Sequence, residues 1–92
     1  MKRYMYTIED PNGMHARPAG ALAAFAKRFS SDIRVRVGEK EADAKRLLSI
    51  MSLGATHGTE LTFEIQGADE DTAAAELERF FKERLYEGKS HA

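Results

Sequence analysis

Cysteine and tryptophan are absent from this chain, and proline occurs only twice. Without a thiol there is no disulfide, no thiolate metal site and no cysteine nucleophile; this fits a reducing compartment and makes cytoplasm the expected location. No charge sign dominates: 14 Lys and Arg stand against 15 Asp and Glu, a formal net charge of −1. That balance argues against a polybasic nucleic-acid binder and against an acidic tail. Long apolar runs are missing too. Lys2 and Arg3 imitate the basic start of a signal peptide, yet Glu9 and Asp10 interrupt the stretch that follows far short of signal or spanning length, so no membrane insertion is expected. There is no low-complexity segment and no internal repeat.

What is present suits one small domain. Hydrophobic residues make up 42% of 92 positions and charged ones 32%, enough for a single two-layer core and too little for a multidomain enzyme. The domain is expected over residues 1–86, with 87–92 as a flexible C-terminal tail. Tyr4, Tyr6 and Ile8 alternate with Met5 and Thr7, the period of a strand packed on one face. Asp10-Pro11-Asn12-Gly13 is dense in turn formers. A helix is predicted from Ala16 to Phe29 on the spacing of Ala19, Leu22, Ala23, Ala26 and Phe29, with Pro18 tolerated in its first turn.

Ile33, Val35 and Val37 then alternate with Asp32, Arg34 and Arg36, and Gly38-Glu39 turns the chain into a short strand over Lys40 to Asp43. A short helix from Arg46 to Leu53 stops at Gly54, and a strand follows with Leu61, Phe63 and Ile65 on its inner face. Asp69-Glu70-Asp71 opens a last helix that keeps helical spacing through Ala73, Ala74, Leu77, Phe80, Phe81 and Leu85, after which Tyr86 onward reads as a frayed end. The order β-α-β-β-α-β-α, with alternating strands, predicts an α/β (α+β) open-faced sandwich: a four-stranded antiparallel sheet covered on one face by three helices. Arg34 and Arg36 opposite Glu60 and Glu64 are expected to make cross-strand ion pairs rather than a nucleic-acid-binding face.

The chemistry concentrates at Gly13-Met14-His15-Ala16-Arg17-Pro18. An imidazole at the start of a helix lies beside unpaired backbone N–H groups and a partial positive charge, so Ala16 and Arg17 can hold phosphate oxygens close to the ring. Arg17 adds a charge-assisted clamp, and the positive helix end disfavours imidazolium, which suits a nucleophile for a phosphoryl group. A helix-starting histidine beside an arginine is, alone, more often a capping or solvated residue. His57 in its turn and His91 near the end read as solvated, and neither has a partner at zinc-ligand spacing.

The run Gly13-Met14-His15-Ala16-Arg17-Pro18-Ala19 resembles the active-site motif of the histidine-containing phosphocarrier family, HPr, of the phosphoenolpyruvate-dependent phosphotransferase system. The resemblance extends to Pro11-Asn12-Gly13, Ala44-Lys45, Leu53-Gly54 and Gly58-Thr59. It implies the fold already read, and phosphorylation of His15 on Nδ1 by phospho-Enzyme I, with phosphoenolpyruvate as ultimate donor. The group would pass to sugar-specific IIA or IIB components. The resemblance implies no cofactor and no metal, and a carrier with a phosphohistidine intermediate rather than a turnover enzyme. Family members often end near position 85 with a carboxylate close to the histidine; here Leu85 runs into Tyr86-Glu87-Gly88.

Leu47, Leu48, Ile50, Met51 and Leu53 give the second helix more apolar residues than one buried face needs. Ile50 and Leu53 are expected inward, leaving Leu47, Leu48 and Met51 as an exposed docking patch that the resemblance puts beside His15. Gly20, Ser52 and Gly54 complete the expected docking set, and Arg17, Lys27, Lys45 and Arg46 would rim it with positive charge. Kinase-regulated members carry a serine where this chain has Arg46, so kinase control through that position is not expected; Ser49 and Ser52 are the serines left on this helix. A monomer is expected. Three alternatives stand: a paralogue serving a nitrogen-related or dihydroxyacetone-kinase phosphorelay, a regulatory binding module that does not transfer phosphate, and a small nucleic-acid-binding domain.

Overall fold

The computed structural model describes residues 1–87. The strands are β1 (Lys2–Thr7), β2 (Asp32–Val37), β3 (Lys40–Asp43) and β4 (Glu60–Gln66), and the helices are α1 (Ala16–Ala26), α2 (Leu47–Met51) and α3 (Glu70–Lys82). A 3-10 turn over Leu85–Glu87 follows. The sheet runs β1-β4-β2-β3 with every neighbouring pair antiparallel, and the helices cover one of its faces. The open-faced α+β sandwich read from the alternation of apolar residues is therefore the fold.

The register places Tyr4, Phe63 and Val35 in one cross-strand row and Ile33 beside Ile65 in the next. Phe63, Ile33, Ile65, Val35 and Leu61 are buried against Leu22, Ile50 and Leu77 from the helices. The opposite row is charged. Arg3 and Arg36 both reach Glu64, at 3.1 and 3.5 Å, and Arg36 reaches Glu41 at 3.0 Å. The expected pairing of Arg36 with Glu64 is present, but Glu60 lies opposite Thr7 on the β1 side and Glu41 of the hairpin takes its place. Among the described residues no helix is long and apolar enough to cross a membrane.

Four boundaries differ from the sequence reading. Helix α2 spans Leu47–Met51 rather than Arg46 to Leu53, because Arg46 keeps extended backbone angles before it and Ser52 caps its end. Helix α1 ends at Ala26 rather than Phe29, although Phe29 stays buried; Lys27 and Arg28 form a turn, and the Lys45 ammonium donates to the Phe29 carbonyl at 2.8 Å. Helix α3 stops at Lys82 because Arg84 takes a positive φ of 51°, so Leu85 leaves the helical spacing and is exposed. Tyr86 is no frayed end. It is buried, its ring lies 5.5 Å from Phe80, and its hydroxyl is 3.3 Å from that of Tyr6. The rest of the expected tail, 88–92 with His91, lies outside the described residues.

Asp69 caps α3 without bonding that helix's own N–H groups. Its carboxylate instead accepts from the Ser30 and Ser31 N–H groups and from the buried Ser31 hydroxyl, tying the start of α3 to the start of β2.

Candidate functional site

The segment before α1 is a turn held at both ends. Asp10 accepts the Gly13 N–H on its carbonyl at 2.9 Å and the Asn12 N–H on Oδ1 at 2.8 Å. Gly13 has a φ of 70°, and a Cβ there would lie 2.7 Å from the Ala55 carbonyl oxygen, so the position needs glycine for conformation and for space. The next residue uses that carbonyl: Met14 is buried and its N–H donates to Ala55 at 3.0 Å. The turn is thus pinned to the loop after α2.

His15 is the residue before the first turn of α1, with extended backbone angles and no capping bond from its side chain. Its carbonyl accepts the Ala19 N–H at 3.1 Å, which starts the helix. The ring is partly exposed, at 36%, and Nε2 lies 3.2 Å from Asp10 Oδ2. Nδ1 has no hydrogen-bond partner among the described residues. The Asn12 N–H first, and the ring second, hold the Asp10 carboxyl below the usual aspartate range.

Ala16 and Arg17 follow with backbone N–H groups that the helix cannot use. Pro18 supplies no N–H at the next position and is buried. No acidic side chain occupies the first turn to offset the positive helix end. Arg17 is exposed and has no ion pair among the described residues. The site therefore combines an imidazole with one free nitrogen, two free backbone donors and one free guanidinium, a set suited to a tetrahedral oxyanion. Among the described residues no three His, Cys, Asp or Glu side chains gather as metal ligands.

Helix α2 supplies the neighbouring surface. Ile50 and Leu53 point into the core, while Leu48 is 79% exposed and Leu47 and Met51 are also open. Beyond Met51, Ser52 donates its hydroxyl to the Ser49 carbonyl at 2.7 Å, Gly54 turns the chain at a φ of 66°, and Ala55 follows with the carbonyl that holds Met14. The exposed apolar residues and the His15 segment are thus joined over a few residues. The basic residues are not all brought to His15. Lys27 caps the far end of α1, about 16 Å away for eleven residues, and the Lys45 ammonium is engaged at Phe29 beyond that end. Arg46 lies just before α2. Gly20, half-buried on α1, has open space where a side chain would project.

A family model described as the PTS HPr component phosphorylation site matches residues 3–83. The chain belongs to the HPr family. It is 45% identical over 73 residues to the phosphocarrier protein HPr of Lysinibacillus sphaericus, covering 79% of this chain and 83% of that one. Against the phosphocarrier protein HPr of Mycoplasma genitalium it is 40% identical over 78 residues, 84% of this chain and 89% of the other. The crystal structure of HPr-C-His from Thermoanaerobacter tengcongensis superposes with a TM-score of 0.83 at 35% identity, over 89% of this chain and 92% of that one.

One neighbour of His15 went unread in the sequence. Asp10 counted only as a turn former, yet its carboxylate meets the histidine five residues on. The signal that finds it is the pairing of an Asx turn with a ring at its exit: once Oδ1 is taken by the Asn12 N–H, Oδ2 is left facing His15.

Proposed function

We propose that this HPr-family chain is a phosphoryl carrier in which His15 Nδ1 accepts the group from phospho-Enzyme I and delivers it to IIA or IIB components of sugar uptake. The observation that carries the reading is an imidazole with a free Nδ1 at the start of α1, a helix whose first turn holds no acidic side chain. Phosphate oxygens would be held by the Ala16 and Arg17 N–H groups and by the Arg17 guanidinium. These contacts favour the transition state, in which charge spreads over the equatorial oxygens.

Partners would dock over Leu47, Leu48 and Met51, with Gly20, Ser52 and Gly54 at the edge of the contact. Arg46 would attract acidic surfaces more directly than Lys27 or Lys45, because the first lies beside the patch and the others toward the far end of α1. The carrier would act in the cytoplasm as a monomer. With Arg46 in place of the serine of kinase-regulated members, it would escape that control. Kinase-dependent phosphate on Ser49 or Ser52 would overturn this last point.

Intact mass after incubation with phosphoenolpyruvate, magnesium and Enzyme I tests the carrier reading. One phosphate adduct is expected, labile in acid and stable in alkali as a phosphoramidate is, and absent from His15→Ala. An adduct that survives in His15→Ala, or none on the wild type with its own Enzyme I, would overturn it and favour a binding module.

A further inference from the structure

We propose that Asp10 is a positioning residue for His15, its carboxylate holding the ring in the Nε2–H tautomer so that the Nδ1 lone pair is available to a phosphoryl group. The proposal rests on the reading of His15 as the carrier. Two contacts make the case. Oδ1 accepts the Asn12 N–H at 2.8 Å, which fixes the rotation of the carboxylate, and Oδ2 then lies 3.2 Å from Nε2. An ionised carboxylate only accepts hydrogen bonds, so Nε2 must be the donor. In a neutral ring the lone pair is then on Nδ1, the nitrogen with no partner among the described residues.

The surroundings keep Asp10 ionised. The Asn12 N–H, the ring and, more weakly, the charge of Arg84 all hold its carboxyl below the usual range. Arg84 itself pairs with Glu9 at 2.6 Å, next to Asp10 in the chain.

In the transfer step the Nδ1 lone pair forms a bond to phosphorus. The bond from phosphorus to the donor's leaving atom breaks, and its electron pair stays with the donor. No proton leaves His15: Nε2 keeps its hydrogen, and the phosphorylated ring carries a positive charge that faces the Asp10 carboxylate. Discharge to an acceptor reverses these changes. Asp10 therefore acts as the aspartate of a Ser-His-Asp triad does, selecting the tautomer and stabilising ring charge without taking the proton.

Two substitutions separate this role from that of a turn former. In Asp10→Asn the side-chain oxygen keeps the Asn12 N–H, which turns the amide NH2 toward Nε2 and imposes the Nδ1–H tautomer. Asp10→Ala removes the bias without reversing it. If Asp10 served the turn alone the ranking would invert, because asparagine forms such turns as well as aspartate.

Long-range proton–nitrogen NMR of the unphosphorylated protein at alkaline pH reads the tautomer, and phosphorylation by Enzyme I with phosphoenolpyruvate reads the rate. Expected are Nε2–H in the wild type, a shift toward Nδ1–H in Asp10→Asn, and a rate for that variant lowered on the order of tenfold and below that of Asp10→Ala. Wild-type tautomer and rate in Asp10→Asn, or a slower Asp10→Ala, would overturn the proposal. Should Asp10→Asn lose its folded amide spectrum, Asp10→Ala decides: mixed tautomers support the role, an unchanged ring refutes it. A wild type that takes no phosphate would overturn the carrier reading, while the tautomer ranking would still decide what Asp10 does.

Discussion

On the uncovered face of the sheet Arg3 meets Glu64 at 3.1 Å, Arg34 meets Asp32 at 3.5 Å and Arg36 meets Glu41 at 3.0 Å. On the face built by α1 and α2, Arg17, Lys27 and Arg46 have no carboxylate partner among the described residues, and Leu47, Leu48 and Met51 are open to solvent. One surface pairs most of its own charges. The other leaves cations, backbone donors and apolar area unmatched, an arrangement that favours the folded chain little and favours a complex much more. The contrast gathers unmatched cations and open apolar area on one side of a molecule whose total charge is nearly zero.

The sharpest way to test the contrast is to remove an unmatched cation. Arg17→Ala is expected to slow phosphorylation of His15 by about hundredfold, in the range for losing one preorganised donor at a developing anion. Its folding free energy should move by no more than about 0.5 kcal/mol, since the side chain is exposed and has no ion pair among the described residues. Stopped phosphorylation time courses and urea titrations of the same sample check both. Leu48→Glu comes next. At 79% exposure the leucine contributes little to the core, so stability should hold, whereas the apparent affinity for Enzyme I should fall about tenfold through lost apolar contact. A large loss of stability instead would mean that the patch belongs to the fold.

A third test concerns a half-buried carboxylate bonded to a buried hydroxyl. Asp69 is held below the usual aspartate range, first by the buried Ser31 hydroxyl and then by the Ser30 N–H. Folding therefore favours its ionised form. That contribution is complete above the ordinary aspartate pKa and is lost as pH falls through the lowered folded value. The midpoint of urea unfolding should drop on acidification across that window, and Asp69→Asn should flatten the drop. An unchanged pH slope in the variant would assign the acid sensitivity to Asp10 and Glu70, whose carboxyls are lowered as well.

Much of this was legible in the sequence because it is local. The alternation of Ile33 and Val35 with Arg34 and Arg36, and the apolar excess at Leu47, Leu48 and Met51, depend only on strand and helix periods. So did the placing of His15 at a helix start. The features missed depend on chain reversals that no period encodes. Asp10 reaches His15 because the turn between them folds back. Tyr86 returns to Tyr6 because Arg84, a non-glycine residue, takes a positive φ and ends α3 early. Asp69 reads as an ordinary cap, yet it bonds Ser31 across 38 positions, and Lys45 reads as surface charge although Phe29 holds it.

The smallest effect is expected on the matched face, and it is the one that tests the other half of the contrast. Arg36→Ala removes contacts to Glu41 and Glu64 at 3.0 and 3.5 Å, but Arg34 and Arg3 remain to face those carboxylates. Exposed pairs of this kind contribute no more than about 1 kcal/mol, and screening at high salt should shrink the difference from wild type further. Phosphorylation by Enzyme I should be unchanged. Were it slowed while stability held, partners would be contacting the sheet, and ion pairing on that face would have to be read as a surface that opens on binding rather than one already satisfied.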